Sequence, residues 1–238
     1  MPRDHVEFLD PTTRSWSADE SDVFPAGTTQ KTLSRDPETG ESTRLISIPA
    51  GATMAPAAAT YDAELFVVDG GLRVDGTRLN RSGHAFVPAD VPVSYETTDG
   101  ARVLYMTIQH ADDHPEPEPV LTRTAELSWE QPRTEGFPAG AARKSLYQDP
   151  RTGASTWLLG VLAHWRETRL ESHPVVEEAY QVQGTMESDQ GHFSAGKYFW
   201  RPPDIPHGPF STSTGCLTFF RTDGPLETEY VADTADDW

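Results

Sequence analysis

The sequence predicts an all-β protein built from two tandem copies of one unit, and three observations carry that expectation. Residues 24–45 (FPAGTTQKTLSRDPETGESTRL) align without a gap on residues 137–158 (FPAGAARKSLYQDPRTGASTWL), 113 positions later, with 13 of 22 identical and Trp16 over Trp129 in the same register. Short runs rich in β-branched, leucine and aromatic residues recur between turn signals. Helix-period patterns of ten or more residues are lacking.

The strands expected from those runs are 44–48, 65–68, 102–108, 156–163, 180–182, 198–200 and 217–220. Between them stand Asp-Pro-x-Thr-Gly at 36–40 and 149–153, Asp69-Gly70-Gly71, Asp75-Gly76, Asp99-Gly100, Gly191 and Asp223-Gly224, which supply the positive φ of tight turns. Residues 110–120 (HADDHPEPEPV) hold four acids and three prolines, and proline resists both helix and central strand. The expected organisation is therefore a first domain over 1–112, a linker over 113–119 and a second domain over 120–238. The acidic tail DTADDW has little to bury and is expected to fray. Many short strands build either a sandwich or a barrel, and periodicity does not choose between them.

Composition narrows the partners. The chain carries 37 acidic against 19 basic residues, a net charge of −18, so nucleic acid and anionic membrane surfaces are not expected partners. Cys216 is the single cysteine, which excludes an intrachain disulfide and a thiolate cluster. The first residues lack a basic, apolar signal segment, and no apolar run approaches the ~18 residues of a membrane span. A cytoplasmic location is the expectation.

Chemistry concentrates in the second copy. On a strand Glu171 and His173, at i and i+2, point the same way with Cα atoms about 7 Å apart. Residues 174–176 form a bend, Glu177 starts a return strand that Gly184 ends, and His207 comes back onto the same face after a second turn. Each of these residues taken singly reads as an ordinary solvated group; their joint spacing points to metal binding. Glutamate and imidazole donors suit a divalent transition metal, whereas Mg and Ca want mostly oxygen. The first copy has Ala57, Ala59, Ala63 and Val93 on the same track and offers no donor.

The surrounding residues divide by strand parity. Glu178 should face away from Glu177, while Gln181 shares its side. Trp157, Trp165, Tyr198, Trp200, Phe219 and Phe220 either wall a pocket or, as the more ordinary reading, pack a core. Arg201 and Arg221 read as ion-paired or, less ordinarily, as anion binders. His5, His84, His110 and His114 are expected at the surface and His192 in a hairpin turn. His164, at the end of the strand before the motif, is the histidine kept as an acid–base or metal-supporting group.

Residues 171–184 resemble the first cupin motif, His-x-His, three or four residues, Glu, six residues, Gly. Gly196, Pro202, Asp204, His207 and Ser211 resemble the second, with Asp and Ser in place of Gly and Asn. The closer likeness is to ChrR-type anti-sigma-factor cupin domains and their bicupin relatives, which share the DPxTGxxT turn, and it covers both halves of the chain. The resemblance implies two tandem cupin jelly-roll barrels. It implies a metal set of Glu171, His173, Glu177 and His207 in the C-terminal one, with Glu171 standing where the family has its first His, or else a triad of His173, Glu177 and His207 with Glu171 behind it. The resulting expectation is a metal-dependent bicupin enzyme, a dioxygenase or an isomerase/cyclase, with Glu171 and His164 as catalytic residues. It would hold one divalent transition metal per chain, Fe(II) or Zn ahead of Mn, Ni or Cu, and no further cofactor. Its partner would be a small-molecule substrate of aromatic or dicarbonyl type. The N-terminal copy would pack against the C-terminal barrel or against a second chain in a homodimer. The alternative is a metal-binding sensor without catalysis.

Overall fold

A computed structural model describes residues 3–109, 118–132 and 134–233, with backbone alone from 231. Among these residues the ordered structure is strand, apart from two single 3₁₀ turns at Pro11–Thr13 and Thr124–Glu126. The chain divides into two compact units, Met1–Arg3 with Thr12–Leu127, and Asp4–Pro11 with Ser128–Trp238. Every described pairing is antiparallel, and six strands of each main sheet follow the same order in the two units, whereas Ser17–Ala18 in the first and Glu229–Asp233 in the second have no counterpart strand among the described residues.

In the first unit the sheet runs Val120–Thr122, His84–Val87, Asp62–Val74, Ala101–Ile108, Ser42–Ile48, Thr29–Arg35 and Ser17–Ala18. In the second it runs Val6–Leu9, Tyr198–Arg201, Glu177–Ser188, Cys216–Thr222, Ser155–Val161 and Ala141–Gln148. All seven strands expected from the sequence are present, several of them longer.

The extra length has a physical cause. Asp69-Gly70-Gly71, read above as a turn, lies inside the strand Asp62–Val74, and Gly184 lies inside Glu177–Ser188 rather than ending it. At Gly70 and Gly184 φ is +73° and +74°, and a Cβ there would sit 2.3 Å from the carbonyl oxygens of Gly100 and Gly215. Only glycine permits that bend and that approach. The strand turns a corner there. Residues 63–66 pair with His84–Val87, while residues 71–74 pair with Thr77–Asn80. In the second unit 177–180 pair with Tyr198–Arg201 and 185–188 with Gly191–Ser194.

The repeated Asp-Pro-x-Thr-Gly segment is a self-satisfied turn. Asp36 Oδ1 accepts the backbone N–H groups of Glu38 and Thr39 at 2.7 and 3.0 Å, and Asp149 Oδ1 accepts those of Arg151 and Thr152 at 2.8 and 3.4 Å. The threonine hydroxyl oxygens then accept N–H groups two residues on, from Glu41 and Ala154. The motif recurs because its side chains take up amides that no ladder reaches.

The domain expectation needs one correction. Val120–Thr122, assigned above to the second domain, pairs with His84–Val87 in the first unit. The first chain segment, Val6–Leu9, pairs with Tyr198–Arg201 in the second. These two segments occupy equivalent places in the two repeats, so each repeat supplies an edge strand to the other's sheet. Most of the expected linker, residues 113–117, and the tail from 234 lie outside the described residues.

Two outcomes follow. A fragment starting at residue 120 lacks the strand Val6–Leu9 and exposes the edge of Tyr198–Arg201, so it should elute as aggregate in size-exclusion chromatography where the full chain does not. For Asp149, desolvation raises the carboxyl pKa, but the Arg151 side-chain and backbone hydrogen bonds outweigh it and hold the net value below ordinary. Asp149→Ala should therefore lower Tm at neutral pH. Because a depressed folded pKa stabilises above the unfolded value of about 3.9, the Tm gap should narrow as pH falls through the carboxylate range.

Candidate metal centre

Backbone pairing brings the candidate ligands together. Glu171 and His207 form an isolated antiparallel bridge in which each amide donates to the other's carbonyl at 2.9 Å. The carbonyl of His173 accepts the Asp204 amide at 2.8 Å. Asp204 stands where the cupin motif has glycine, and it takes the glycine's conformation, φ +63°, which aspartate tolerates better than most residues. Glu177 opens the return strand in register with Arg201.

The side chains converge. One donor atom from each of Glu171, His173 and His207 lies within 4.8 Å of the others. Glu177 stands beside this group, its Oε1 3.8 Å from His173 Nε2 and its Oε2 3.5 Å from His207 Nε2. Glu171 Oε1 is 3.6 Å from His207 Nε2. Three of the four residues are buried, and Glu171 is half-buried.

Both imidazoles are oriented by their far nitrogens. His173 Nδ1 is 2.9 Å from the Glu227 carbonyl and His207 Nδ1 is 2.8 Å from the Ile205 carbonyl. A carbonyl can only accept, so each Nδ1 carries a proton and Nε2 is the ring nitrogen that faces inward and is open to a metal. His207 Nε2 is buried with no hydrogen-bond partner. A buried ring nitrogen left unsatisfied beside carboxylates is costly in an apolar interior, and a metal cation removes that cost. Backbone-anchored histidines of this kind are the usual support for a bound metal. The residues present fit a divalent transition metal.

Electrostatics agree. Burial alone would raise the Glu177 carboxyl pKa, yet His207, His173 and Arg201 together hold it below its ordinary value. Desolvation alone would lower the His207 pKa, but the neighbouring carboxylates of Glu171 and Glu177 raise it overall. Arg201, 2% exposed, donates from Nη1 to Glu177 Oε2 at 2.9 Å. Its Nε and Nη2 fork onto Glu7 at 3.0 and 2.6 Å. The guanidinium is thus ion-paired, as the sequence suggested, and so is Arg221, 3.2 Å from Glu178.

A cavity of about 90 Å³ opens onto Glu171, His173 and Glu177. Of the six aromatics singled out above, Trp157, Trp165 and Phe220 line it, joined by Phe137, Phe193, Phe199 and Phe210. Tyr198, Trp200 and Phe219 are buried away from it. Strand alternation explains the split, since Phe199 and Arg201 share one face and Tyr198 and Trp200 the other. Glu178 likewise turns away from Glu177 and accepts from the Tyr198 hydroxyl at 2.5 Å. Gln181 is fully buried and bonded, accepting from Thr218 and donating to the Gln183 carbonyl.

Two histidine expectations are overturned. His164 is exposed in the turn after Ser155–Val161, with φ +64°, and does not line the cavity, because the strand stops at Val161, before it can carry His164 inward. His84 is completely buried, 2.8 Å from Glu64, because the strand His84–Val87 is internal to its sheet. His5 and His192 are exposed, and His110 and His114 lie outside the described residues.

The first unit keeps the turn and loses the chemistry. Asp90 repeats Asp204 at φ +59°, and its amide donates to the Ala59 carbonyl at 2.7 Å. Ala57 faces Val93 in the register that Glu171 and His207 share. Ala63 and Val93 belong to the apolar core, where Phe24 packs on Tyr95 and Tyr105 at 5.3 and 4.8 Å.

Two repeated antiparallel β units with candidate donors clustered in one of them have the cupin-type jelly-roll fold, and comparison with solved structures agrees on that fold. A dioxygenase candidate from Nostoc punctiforme superimposes with a TM-score of 0.85 at 23% identity, covering 97% of this chain and 87% of that one. Oxalate decarboxylase from Lactobacillus farciminis gives 0.67 at 12% identity, covering 95% and 89%. The E. coli protein YlbA gives 0.64 at 13%, covering 93% and 92%. No curated protein matches the chain by sequence. Residues 21–229 match the family model described as a domain of unknown function, DUF4437, and the chain belongs to that family.

Elemental analysis of the purified full chain should find one transition-metal ion per molecule, with the first unit contributing none. His207→Ala should lose that ion. Glu178→Ala should keep it, at a stability cost on the order of 3 kcal/mol from leaving buried Arg221 without its carboxylate. Equal metal loss in the two variants would contradict the placement of Glu178.

Proposed function

We propose that the protein is a metal-dependent bicupin enzyme of the cytoplasm that acts on a small organic molecule, as a dioxygenase or an isomerase/cyclase. One observation carries the reading. Two imidazoles anchored through Nδ1 aim Nε2 at two carboxylates inside an aromatic-lined cavity, and one of those nitrogens is buried without a partner. Glu171, His173, Glu177 and His207 would hold the ion. Fe(II) or Zn suits this donor set first, with Mn, Ni or Cu also compatible. The bound metal would act as a Lewis acid toward substrate oxygen atoms and, as iron, would bring O₂ chemistry within reach. Kinship with a dioxygenase candidate and an oxalate decarboxylase supports the fold, and the reaction has to be argued from the site.

The cavity sets the substrate's size. Its ~90 Å³ is smaller than the ~150 Å³ that accommodates a benzene ring. Of the two expected substrate types, this favours a compact dicarbonyl over an aromatic ring. The apolar wall excludes water, and the carboxylates provide proton chemistry. Glu177 is fixed by Arg201, whereas Glu171 meets His207 at 3.6 Å and is the more exposed of the two. Glu171 is therefore the carboxylate free to take a proton from bound substrate. His164 has no part in this chemistry.

The reading is tested by metal analysis of protein purified without added metal, followed by O₂ uptake with diketones and phenols. Iron with uptake supports the oxygenase. Metal bound tightly with no turnover of any candidate would favour the sensor role implied by the ChrR-type resemblance. Within the enzyme reading, Glu171→Ala should retain metal and lose turnover by about 10²-fold or more, while Glu171→His should retain metal with altered activity. Metal content and activity both unchanged in Glu171→Ala would make it an ordinary surface carboxylate.

A further inference from the structure

We infer that Glu7, about 170 positions from the metal motif in sequence, is a positioning residue that keeps Glu177 available to the metal by occupying the other side of Arg201. The inference rests on the metal reading above. Arg201 offers Nη1 to Glu177 at 2.9 Å and its Nε–Nη2 fork to Glu7 at 3.0 and 2.6 Å. A forked, two-bond contact is the stronger mode for a guanidinium on a carboxylate, and here the fork belongs to Glu7. Glu177 receives one bond on Oε2, which leaves Oε1 uncommitted and turned toward His173 at 3.8 Å.

The clamp is well built. The guanidinium lies 3.8 Å from the centre of the Phe199 ring, which lines the cavity. The strand carrying Glu7 is fixed by pairing of Val6 with Trp200 and Leu9 with Tyr198. Phe8 takes the left-handed φ of +45° and stacks on Phe193 at 5.0 Å. A non-glycine residue held in that conformation needs strong surrounding constraint, and the aromatic stack and the ion pair on either side provide it.

Charge explains why a second carboxylate is needed. Glu7, Glu177 and Arg201 sum to −1, Glu171 adds another −1, and imidazoles that hold a metal through Nε2 do so uncharged. The set then complements a divalent cation. Without the charge on Glu7 the set falls to −1, and the guanidinium fork is released to turn onto Glu177, where it competes with the metal for the same oxygen atoms.

The test is Zn(II) affinity of the full-length chain, measured by competition with a chromophoric chelator, alongside the melting temperature of the metal-free protein. Glu7→Gln should weaken zinc binding about 10- to 100-fold, the range typical of groups that support metal ligands. Leu9→Ala, which loosens the same strand but leaves the clamp, should weaken it far less. Wild-type affinity in Glu7→Gln would overturn the inference. So would an equal loss in Leu9→Ala, which would assign the effect to strand docking. Should Glu7→Gln melt markedly earlier without metal, Arg201→Lys, which keeps the charge and loses the fork, must show the same affinity loss or the clamp is rejected. Absence of zinc binding by the wild-type chain would instead refute the metal reading and the clamp with it.

Discussion

Carboxylates and imidazoles buried inside a β-barrel have to be compensated, and the second unit is organised around that requirement. Taking a charge out of water costs several kcal/mol unless a partner is supplied. Arg201 supplies one for Glu177, and carbonyls from two separate loops supply partners for the outer nitrogens of His173 and His207. The remaining inward-facing ring nitrogens and negative charge are what a bound cation would satisfy. The fold contributes the convergence, through the Glu171–His207 bridge and the Asp204 amide on the His173 carbonyl.

The first unit shows the other solution to the same constraint. With alanine and valine on the ligand track there is no charge to compensate, and aromatic packing closes the interior. The bend at Gly70, the Asp90 turn and the Asp-Pro-x-Thr-Gly turn persist there without a site. Those features thus belong to the barrel itself. The donors at 171, 173, 177 and 207 are what distinguish the second copy, together with the carboxylate–guanidinium pairing behind them.

Much of this was legible in the residues. Strand runs, the duplication and the ligand track depend on local pattern, and strand parity correctly turned Glu178 away from Glu177. Gly70 and Gly184 misled because positive φ usually marks the end of a strand, whereas here the strand runs on past the bend and changes partners. His84 and His164 misled because each sits beside a turn, and which side of the turn is buried depends on sheet neighbours distant in sequence. Phe199 was within reach, since it shares a face with Arg201 on a strand already recognised. The Glu7–Arg201 contact was not: Val6–Leu9 bears no sequence likeness to the strand Val120–Thr122 that fills its place in the other repeat, and pairing across 190 positions leaves no local trace.

The exchange of edge strands separates the unit of sequence from the unit of folding. One repeat alone would carry its first strand addressed to a different barrel, so it could close only by reciprocal swapping with a second molecule, an association that depends on concentration. Joining two repeats in one chain makes the same exchange intramolecular, with the tether setting a local concentration in place of the bulk one. Once joined, neither half can be cut away at the repeat boundary without taking a strand from the other. The edge strand that each barrel draws from the other repeat is thus independent of whether that barrel carries donor side chains, and only the second does on the ligand track.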